Sequence, residues 1–579
     1  MMLLSKRSSV SILLLLVIIL PLSACAQDTM QTALQIPSKT SMTPSEIESE
    51  IANEEGNRTE EAVQLEPKNY DSLIFSALQV GKIDNIRFED TSGLITFYEQ
   101  SNFRPVWASG TFNKTGIIKD ILPVLENSWT HGLNPDQYHI KTIRQHLETA
   151  NSGDDYEALD LIVSDALARY GRDMSGMRVN PSVIGQRGEY WRKPLSAKAV
   201  LTYIEEAQNK VDALENLAPR GTLYKTLQQE LTRLYKEEAD HKKREPLKIS
   251  HNLKPGEKDE AILPLRRRMG FETDPANPAH FTYDDELAAS VMAFQRAHGV
   301  AQDGIVGPQT VALMNLSNEQ KLKQVLANLE RLRWITQNKP DRYVMVNVPS
   351  ATLWAMENGQ TVMEMPVVVG RQDRPTNIFT TEISGIRFNP TWTVPPTIKK
   401  DDYLPKLRKN PYYLSDRGIE IKEGSRTIDP GTINWKKKDW AEVNAMRMVQ
   451  GSSASNPLGR VRVLMDNPFN IYLHDTPSKS YFQKADRALS SGCVRMERPV
   501  EFADFILKDK ADWSQTKRDE ILKSGKMKEI YIANKVPVYI MYQTVWMAEN
   551  DRLIYGADLY QHDEKLIAEL EKIGDIPPI

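Results

Sequence analysis

The stretch NIYLHDTPSKSYFQKADRALSSGCVRMERP, residues 470–499, contains the residues that indicate most clearly what this protein does. Its opening Ile-Tyr-Leu predicts a short strand that delivers His474 at its end. Later a Ser-Ser-Gly segment presents the thiol of Cys493, and Pro499 predicts the start of a helix. A nucleophilic thiol needs a base within hydrogen-bond reach that holds it as the thiolate. The pattern therefore predicts Cys493 as a nucleophile, with His474 as its general base and acid.

Several neighbours of this pair are candidates for supporting roles. Acyl transfer needs backbone N–H groups aimed at the developing oxyanion, and the groups around Gly492 and Cys493 are the natural donors, with Ser491 in the same loop. Arg495 either binds a substrate carboxylate or braces the active-site loop through backbone carbonyls. Tyr472 and Trp392 are equally consistent with core residues, cleft walls and substrate contacts. No set of His, Cys and carboxylate residues has metal-ligand spacing, so neither a metal nor another cofactor is expected.

The N-terminus predicts export. Lys6 and Arg7 precede the apolar run SILLLLVIIL, residues 11–20, which is too short to span a bilayer and is typical of a secretory signal. The tetrapeptide Leu-Ser-Ala-Cys that ends at Cys25 resembles a bacterial lipoprotein box, in which the cysteine is acylated. Ordinary cleavage after small residues, with Cys25 incidental, is the alternative. Ala26, not Asp, follows, which favours a periplasmic protein anchored in the outer membrane over one anchored in the inner membrane.

Composition limits the classes of protein to consider. The chain has 579 residues, of which 40% are hydrophobic and 26% charged, with a formal net charge of −4. The length predicts three or four domains, and the composition is that of a soluble globular protein with no electrostatic reason to bind nucleic acid. Cys25 and Cys493 are the two cysteines. If Cys25 carries lipid, Cys493 is a lone thiol in an oxidising compartment, which indicates chemical use.

Changes in pattern along the chain predict a multidomain α+β protein. Ser, Thr, Glu and Gln dominate after the signal, which indicates a flexible tether. Apolar residues at spacings of three and four then predict a helical scaffold and a compact helical module, and runs rich in Val, Met and Thr predict a β-rich domain. A polar insertion interrupts that domain, as lids and binding loops do. The predicted boundaries are 1–25 for the signal peptide, 26–65 for the tether, 66–250 for the scaffold, 251–316 for the module and 326–560 for the β-rich domain, with the insertion at about 395–450.

The compact helical module has a recognisable motif. Its stretch DDELAASVMAFQRAHGVAQDGIVGPQTVALMN, residues 284–315, resembles the three-helix peptidoglycan-binding domain. The residues that stand where that family has them are Phe294, Gln295, Gly299, Asp303, Gly304, Gly307, Pro308 and Thr310. The resemblance implies binding to wall glycan or peptide, or docking on a neighbouring domain.

The segment around His474 and Cys493 resembles the L,D-transpeptidase catalytic domain (YkuD-like), whose hallmark pairs a strand-end His with Ser-His-Gly-Cys-Ile/Val-Arg. Asp475 stands where a Gly commonly follows the first His, and Ser491 where a second His commonly precedes the Gly. No second imidazole is therefore assigned. Both departures resemble the large periplasmic branch typified by YcbB, which also has a helical scaffold, an embedded peptidoglycan-binding module and a capping insertion.

This resemblance implies a reaction. Cys493 would attack the carbonyl of the third residue, a diamino acid, of a tetrapeptide stem, release D-alanine and pass the acyl group to a neighbouring stem, which forms a 3→3 cross-link. It implies peptidoglycan stems and glycan strands as partners, membrane contact through Cys25, association with wall synthases, and acylation of Cys493 by carbapenems. Three alternatives stay open: an L,D-carboxypeptidase with water as acceptor, a non-catalytic wall-binding lipoprotein, and an unrelated cysteine peptidase with an Asn or Asp orienter.

Overall fold

The computed structural model describes residues 71–108, 115–185, 191–238, 245–298, 300–336, 339–484, 486–547 and 552–577. The predicted signal peptide, Cys25, the tether and Gly299 lie outside these ranges. Among the helices that fall within them, none combines the length and the apolar character that a membrane crossing requires.

The first part of the described chain is helical, as the sequence predicts, and contains only a small hairpin of strands. Its elements are α1 (Leu73–Val80), β1 (Lys82–Ile83), β2 (Ile86–Arg87), α2 (Thr91–Glu99), α3 (Thr115–Glu126), α4 (Ile140–Thr149), α5 (Gly153–Ser175), α6 (Ala197–Glu206), α7 (Lys210–Glu215) and α8 (Thr222–Glu238). The long helix α5 begins with a capping box between Ser152 and Asp155 and contributes a continuous row of buried residues to one hydrophobic core.

A small module of three helices follows: α9 (Ile262–Arg268), α10 (Asp285–Ala297) and α11 (Pro308–Met314). It has a core of its own. Gln295 is buried, and its amide bonds to Asp303 and to the backbone N–H of Gly304 at 3.0 and 2.9 Å. Three of the motif residues quoted above therefore brace a turn of the module.

The helix α12 (Asn318–Arg333) leads from this module into the β-rich domain. Its Glu330 is fully buried and bonds to Arg178 at 2.8 Å and to Arg333 at 2.6 Å. Burial opposes ionisation of Glu330, but the two guanidinium groups outweigh it and lower the pKa of this carboxyl to about 2. Buried charge pairs thus connect α12 to the helical scaffold.

The β-rich domain is built on one nine-stranded sheet. Its strands run in the order β13-β5-β14-β12-β11-β6-β15-β3-β4, and an additional pairing of β4 with β5 closes the sheet on itself. The strands are β3 (Arg342–Asn347), β4 (Thr352–Glu357), β5 (Gln360–Gly370), β6 (Phe379–Phe388), β11 (Val461–Met465), β12 (Leu473–His474), β13 (Ala488–Ser490), β14 (Val494–Met496) and β15 (Lys528–Met541). Helices α15 (Pro499–Leu507), α16 (Gln515–Ser524) and α17 (His562–Lys572) and the hairpin β16 (Val545–Met547) and β17 (Leu553–Tyr555) complete the domain. The predicted multidomain α+β class is confirmed.

The insertion between β6 and β11 folds as a subdomain. Its sheet has the order β7-β10-β8-β9, formed by β7 (Trp392–Thr393), β8 (Ile419–Glu423), β9 (Arg426–Ile428) and β10 (Arg447–Gln450). It also holds a π-helical turn at Ile398–Tyr403 and the short helices α13 (Leu404–Leu407) and α14 (Trp440–Ala445). Despite its polar sequence, the insertion has an apolar core, and Tyr472 of the large sheet packs against that core. The insertion therefore covers the sheet at the predicted site.

Candidate active site

Strand register brings the predicted nucleophile and base together. Strands β12 and β14 run parallel, with Leu473 opposite Val494 and His474 opposite Arg495. Because side chains alternate along a strand, the neighbouring Cys493 shares a face with His474 and Arg495. Leu473 and Val494 point the other way and are completely buried. The two residues singled out for catalysis thus lie on adjacent strands and on the face that the insertion covers.

The hydrogen bond of His474 determines which of its ring nitrogens can accept a proton. The ring is buried, and Nδ1 lies 2.5 Å from the backbone carbonyl of Asp475, an atom that can only accept. Nδ1 therefore carries the hydrogen and Nε2 has the free lone pair. Burial and then the positive charge of Arg495 lower the pKa of His474 to about 3, so the imidazole is neutral at neutral pH.

The thiol of Cys493 is half-buried, and its Sγ donates to the carbonyl of Asn470 at 3.7 Å. Burial raises the pKa of Cys493, although the backbone of Tyr472 and the charges of Arg462 and Arg495 oppose that effect. Together with the lowered pKa of His474, this favours a resting thiol and a neutral imidazole over the thiolate expected from the sequence. Proton transfer must then accompany nucleophilic attack.

The two predicted oxyanion donors, the N–H groups of Gly492 and Cys493, differ in their hydrogen bonds. Gly492 has φ +109°, a conformation that side chains disfavour, and its N–H donates to Ser490 Oγ at 3.1 Å. Ser490 Oγ in turn donates to the carbonyl of Cys493 at 2.6 Å. The Gly492 N–H is therefore already used and is not a free oxyanion donor. Among the described residues, the N–H of Cys493 itself has no acceptor, so it is the better candidate.

Thr376 holds this loop from beneath, although no motif in the sequence marks it. It is fully buried, donates through Oγ1 to the carbonyl of Gly492 at 2.7 Å, and accepts from the N–H of Gly370 at 2.8 Å. The hydroxyl of Tyr560 donates to the carbonyl of Gly370 at 2.5 Å and accepts from the N–H of Thr376 at 3.2 Å. These contacts join residues far apart in sequence.

Ser491 lies on the surface, where it contacts an ion pair of the insertion. Arg374 donates to Ser491 Oγ at 3.3 Å. The same guanidinium bonds to Asp402 at 2.6 Å and to Asp401 at 3.2 Å, both in the π-helical turn of the insertion. Ser491 thus links the nucleophile segment to the insertion. No contact of its side chain supports the predicted oxyanion role.

Asp475, which replaces the common glycine, fixes the backbone that orients His474. Its buried carboxylate accepts from the N–H of Arg460, the N–H of Thr476 and Nζ of Lys479, each at 2.7 Å. The carbonyl that receives Nδ1 of His474 is therefore held in place by its own side chain.

The three remaining candidates have distinct environments. Tyr472 lies beside the catalytic pair, with its ring centroid 5.7 Å from that of His474. Trp392 is 5% exposed and belongs to the core of the insertion, where it packs edge-on against Tyr403. Arg495 makes neither an ion pair nor a hydrogen bond with any described residue, so the predicted bracing through carbonyls is not observed. Within the described ranges no three His, Cys, Asp or Glu side chains cluster closely enough to hold a metal.

Three domain families match the chain. The L,D-transpeptidase catalytic domain, YkuD, matches residues 341–540, and the scaffold domain matches residues 92–231. The family described as "Putative peptidoglycan binding domain" matches residues 267–314. The first match contains the whole nine-stranded sheet up to residue 540 and both catalytic candidates.

Individual relatives are also named as L,D-transpeptidases. A Haemophilus influenzae protein named "Putative L,D-transpeptidase" is 34% identical over 259 residues, or 44% of this chain and 51% of that protein. The chain thus spans about half the length of this curated relative. A solved L,D-transpeptidase from Xylanimonas cellulosilytica is 13% identical with a TM-score of 0.18, over 51% of this chain and 99% of that one. One from Stackebrandtia nassauensis is 13% identical with a TM-score of 0.19, over 52% and 97%. Residues 341–540 are, by their family match, an L,D-transpeptidase catalytic domain, which this chain joins to a scaffold domain and a peptidoglycan-binding domain.

Proposed function

We propose that this protein is a cysteine L,D-transpeptidase that forms 3→3 cross-links in peptidoglycan. The observation that carries the proposal is the placement of Cys493 and His474 on one face of two paired strands within the matched catalytic domain. The peptidoglycan-binding match supports the wall polymer, with its glycan strands and stem peptides, as the partner.

In the proposed first half-reaction, Sγ of Cys493 attacks the carbonyl of the third residue of a tetrapeptide stem, and the thiol proton passes to Nε2 of His474. The backbone N–H of Cys493 donates to the resulting oxyanion. Collapse breaks the peptide bond, and the leaving D-alanine nitrogen takes the proton from His474. The product is a thioester on Cys493 with a neutral imidazole beside it.

In the second half-reaction, the side-chain amine of a neighbouring stem's diamino acid attacks the thioester. The amine gives a proton to His474, and the sulfur leaves and recovers that proton. The insertion lies over this face of the sheet and reduces the access of water, which favours the amine as acceptor. An L,D-carboxypeptidase would use water in place of the amine as acceptor, so access of water past the insertion would decide between the two activities.

The proposal includes a location and a set of partners. Acylation of Cys25 and removal of the residues that precede it would place the protein in the periplasm, on the outer membrane, with residues 26–65 as a tether to the wall. Wall synthases would supply the glycan strands. We retain 66–250, 251–316 and 326–560 as the proposed domain boundaries, with the insertion at about 395–450.

The experiment that tests the proposal incubates purified protein with tetrapeptide muropeptides and analyses the products by mass spectrometry. Cross-linked dimers that have lost D-alanine support transpeptidation, whereas tripeptide alone supports the carboxypeptidase. Cys493→Ala should yield neither. A protein that forms no product and no covalent adduct with a carbapenem, yet still binds sacculi, would be the non-catalytic lipoprotein instead.

A further inference from the structure

Two arginines beside Cys493, Arg462 and Arg495, make no ion pair and no side-chain hydrogen bond with any described residue. Arg462 lies opposite His474 on β11, and Arg495 lies opposite His474 on β14, so both share the face of the catalytic pair. Each is half-buried, and in each the Nε is buried with no hydrogen-bond partner. Arg462 lies over the ring of Tyr472 at 4.0 Å and Arg495 over the ring of Tyr481 at 5.7 Å, and the carboxylate of Glu529 acts on Arg462 without an ion pair.

Nearby arginines are satisfied differently. Arg387 is the next residue in the same row across the sheet, opposite Arg462, and it bonds to Glu529 at 2.6 Å. Arg374 pairs with Asp402, and Arg460 donates to Asn389 Oδ1 at 2.8 Å. Unlike these three neighbours, the two guanidinium groups that flank the nucleophile have no carboxylate or amide partner among the described residues.

An unpaired, partly desolvated charge is costly, and guanidinium groups are best matched by carboxylates, which they bind through two parallel hydrogen bonds. We propose that Arg462 and Arg495 form a carboxylate-binding pair that holds two carboxylates of the donor stem. These are the C-terminal carboxylate of the leaving D-alanine and the free carboxylate on the diamino acid side chain. This proposal rests on the proposed function, because it names the groups by which that site recognises its donor.

The register places the pair at suitable distances. Arg495 is two residues from Cys493 along a strand, a Cα separation of roughly 7 Å. Arg462 is two strands away and two residues along, at roughly 12 Å. The leaving residue's carboxylate is attached two bonds from the scissile nitrogen, and the side-chain carboxylate lies several bonds further away. A stem whose scissile carbonyl rests on Sγ therefore has one carboxylate near the nucleophile and one at longer range.

Binding would also act on the base. Arg495 and Arg462 both lower the pKa of His474 in the free enzyme. Carboxylates that neutralise these charges would remove that effect and make the imidazole a stronger base only when the donor is bound. The pair would then couple recognition of the donor to proton transfer from Cys493.

The test is a cycle of variants and substrates. Wild type, Arg462→Gln and Arg495→Gln are assayed for kcat/KM of terminal-residue release on three tetrapeptide stems. One stem is the parent, one carries a C-terminal amide, and one has L-lysine in place of diaminopimelate and so lacks the side-chain carboxylate. Loss of either carboxylate from the stem should lower the kcat/KM of wild type about 10²-fold, because it leaves a charged arginine unpaired. A variant that lacks the arginine for a given carboxylate should lose about as much kcat/KM on the parent stem. It should lose little more on the stem that also lacks that carboxylate.

Arg387→Gln is the matched control, since it removes an arginine from the same row that already has a carboxylate partner. It should change turnover of the three stems by one common factor. Arg495→Lys should recover part of the loss, and thermal unfolding verifies that each variant is folded. The proposal is overturned if wild type has the same kcat/KM on all three stems. It is also overturned if the loss from an arginine substitution and the loss from a modified stem multiply, as for independent effects.

Failure of the proposed function gives a separate result. If wild type releases nothing from the parent stem, the reaction assigned to this protein is wrong. Calorimetric titration of Cys493→Ala with the parent and amide stems then decides the arginine pair by itself. The arginine pair is supported if Cys493→Ala binds the parent stem more tightly than the amide stem and this difference disappears when Arg462→Gln and Arg495→Gln are added. Equal binding of both stems refutes the pair.

Discussion

Replacing Thr376 by valine tests whether the nucleophile loop depends on a single buried hydroxyl. Valine has almost the same shape as threonine but cannot hydrogen-bond. The change removes the bond to the Gly492 carbonyl at 2.7 Å and the bond from the Gly370 N–H at 2.8 Å. Both backbone groups would be left buried without a partner, because Thr376 is fully buried.

The expected magnitude follows from these two bonds. A buried polar group left unsatisfied costs about 1–3 kcal/mol, so Thr376→Val should lower the free energy of unfolding by about 2–6 kcal/mol. Under conditions where the variant is still folded, kcat/KM should nevertheless fall. Gly492 precedes Cys493, and a displacement of the nucleophile by about 1 Å can cost about 10²-fold in rate.

Urea unfolding measures the first quantity, and kcat/KM for the tetrapeptide stem, at temperatures where the variant is folded, measures the second. Thr376→Ser keeps the hydroxyl and should stay within about 1 kcal/mol of wild type, since it loses only one methyl group. Should Thr376→Val show wild-type stability and wild-type kcat/KM, the hydroxyl does not position the loop and the reasoning fails.

Three further predictions concern other parts of the molecule. Because burial raises the pKa of Cys493, its alkylation by iodoacetamide should keep rising with pH to about pH 9 or beyond, and a plateau near pH 7 would contradict a resting thiol. Glu330→Gln leaves Arg178 and Arg333 without their buried carboxylate and should cost about 3–5 kcal/mol by urea unfolding, against under about 1 kcal/mol for the exposed Glu237→Gln. Since the pKa of Glu330 is about 2, below its unfolded value, its contribution should be present above about pH 4.5 and disappear as the pH falls toward 2; equal costs for the two variants at pH 7 would refute this role. Arg374→Ala removes the ion pair with Asp402 and should shift products from cross-linked dimer toward tripeptide by roughly two- to fivefold, the effect of about 0.5–1 kcal/mol on closure; an unchanged product ratio by mass spectrometry would show that the insertion does not depend on this pair.

The sequence predicts the parts of this protein that depend on local pattern. The β-rich domain follows from short runs of Val, Met and Thr, and the catalytic pair follows from a motif contained in thirty residues around His474 and Cys493. Gly492 shows the limit of such reasoning: its place before the nucleophile predicts an oxyanion donor, but its N–H is already used by Ser490, which only coordinates reveal.

The other site residues depend on contacts between distant segments. Arg462 enters the site because β11 pairs with β12, and Thr376 because its loop passes under Gly492. Neither register nor loop path can be read from one sequence without the structure. Lipidation of Cys25 and the domain boundaries remain predictions.

The hydroxyl of Tyr560 reaches Gly370 across 190 residues of chain. A ribosome or an export channel delivers the polypeptide from its N-terminus, so the segment bearing Cys493 emerges before the residue that completes its support. A chain that has emerged as far as Cys493 would therefore lack the support of Tyr560 beneath the Gly492 loop until the region around Tyr560 has followed. Acylation of Cys493 is therefore expected only after the region around Tyr560 has been synthesised and has folded.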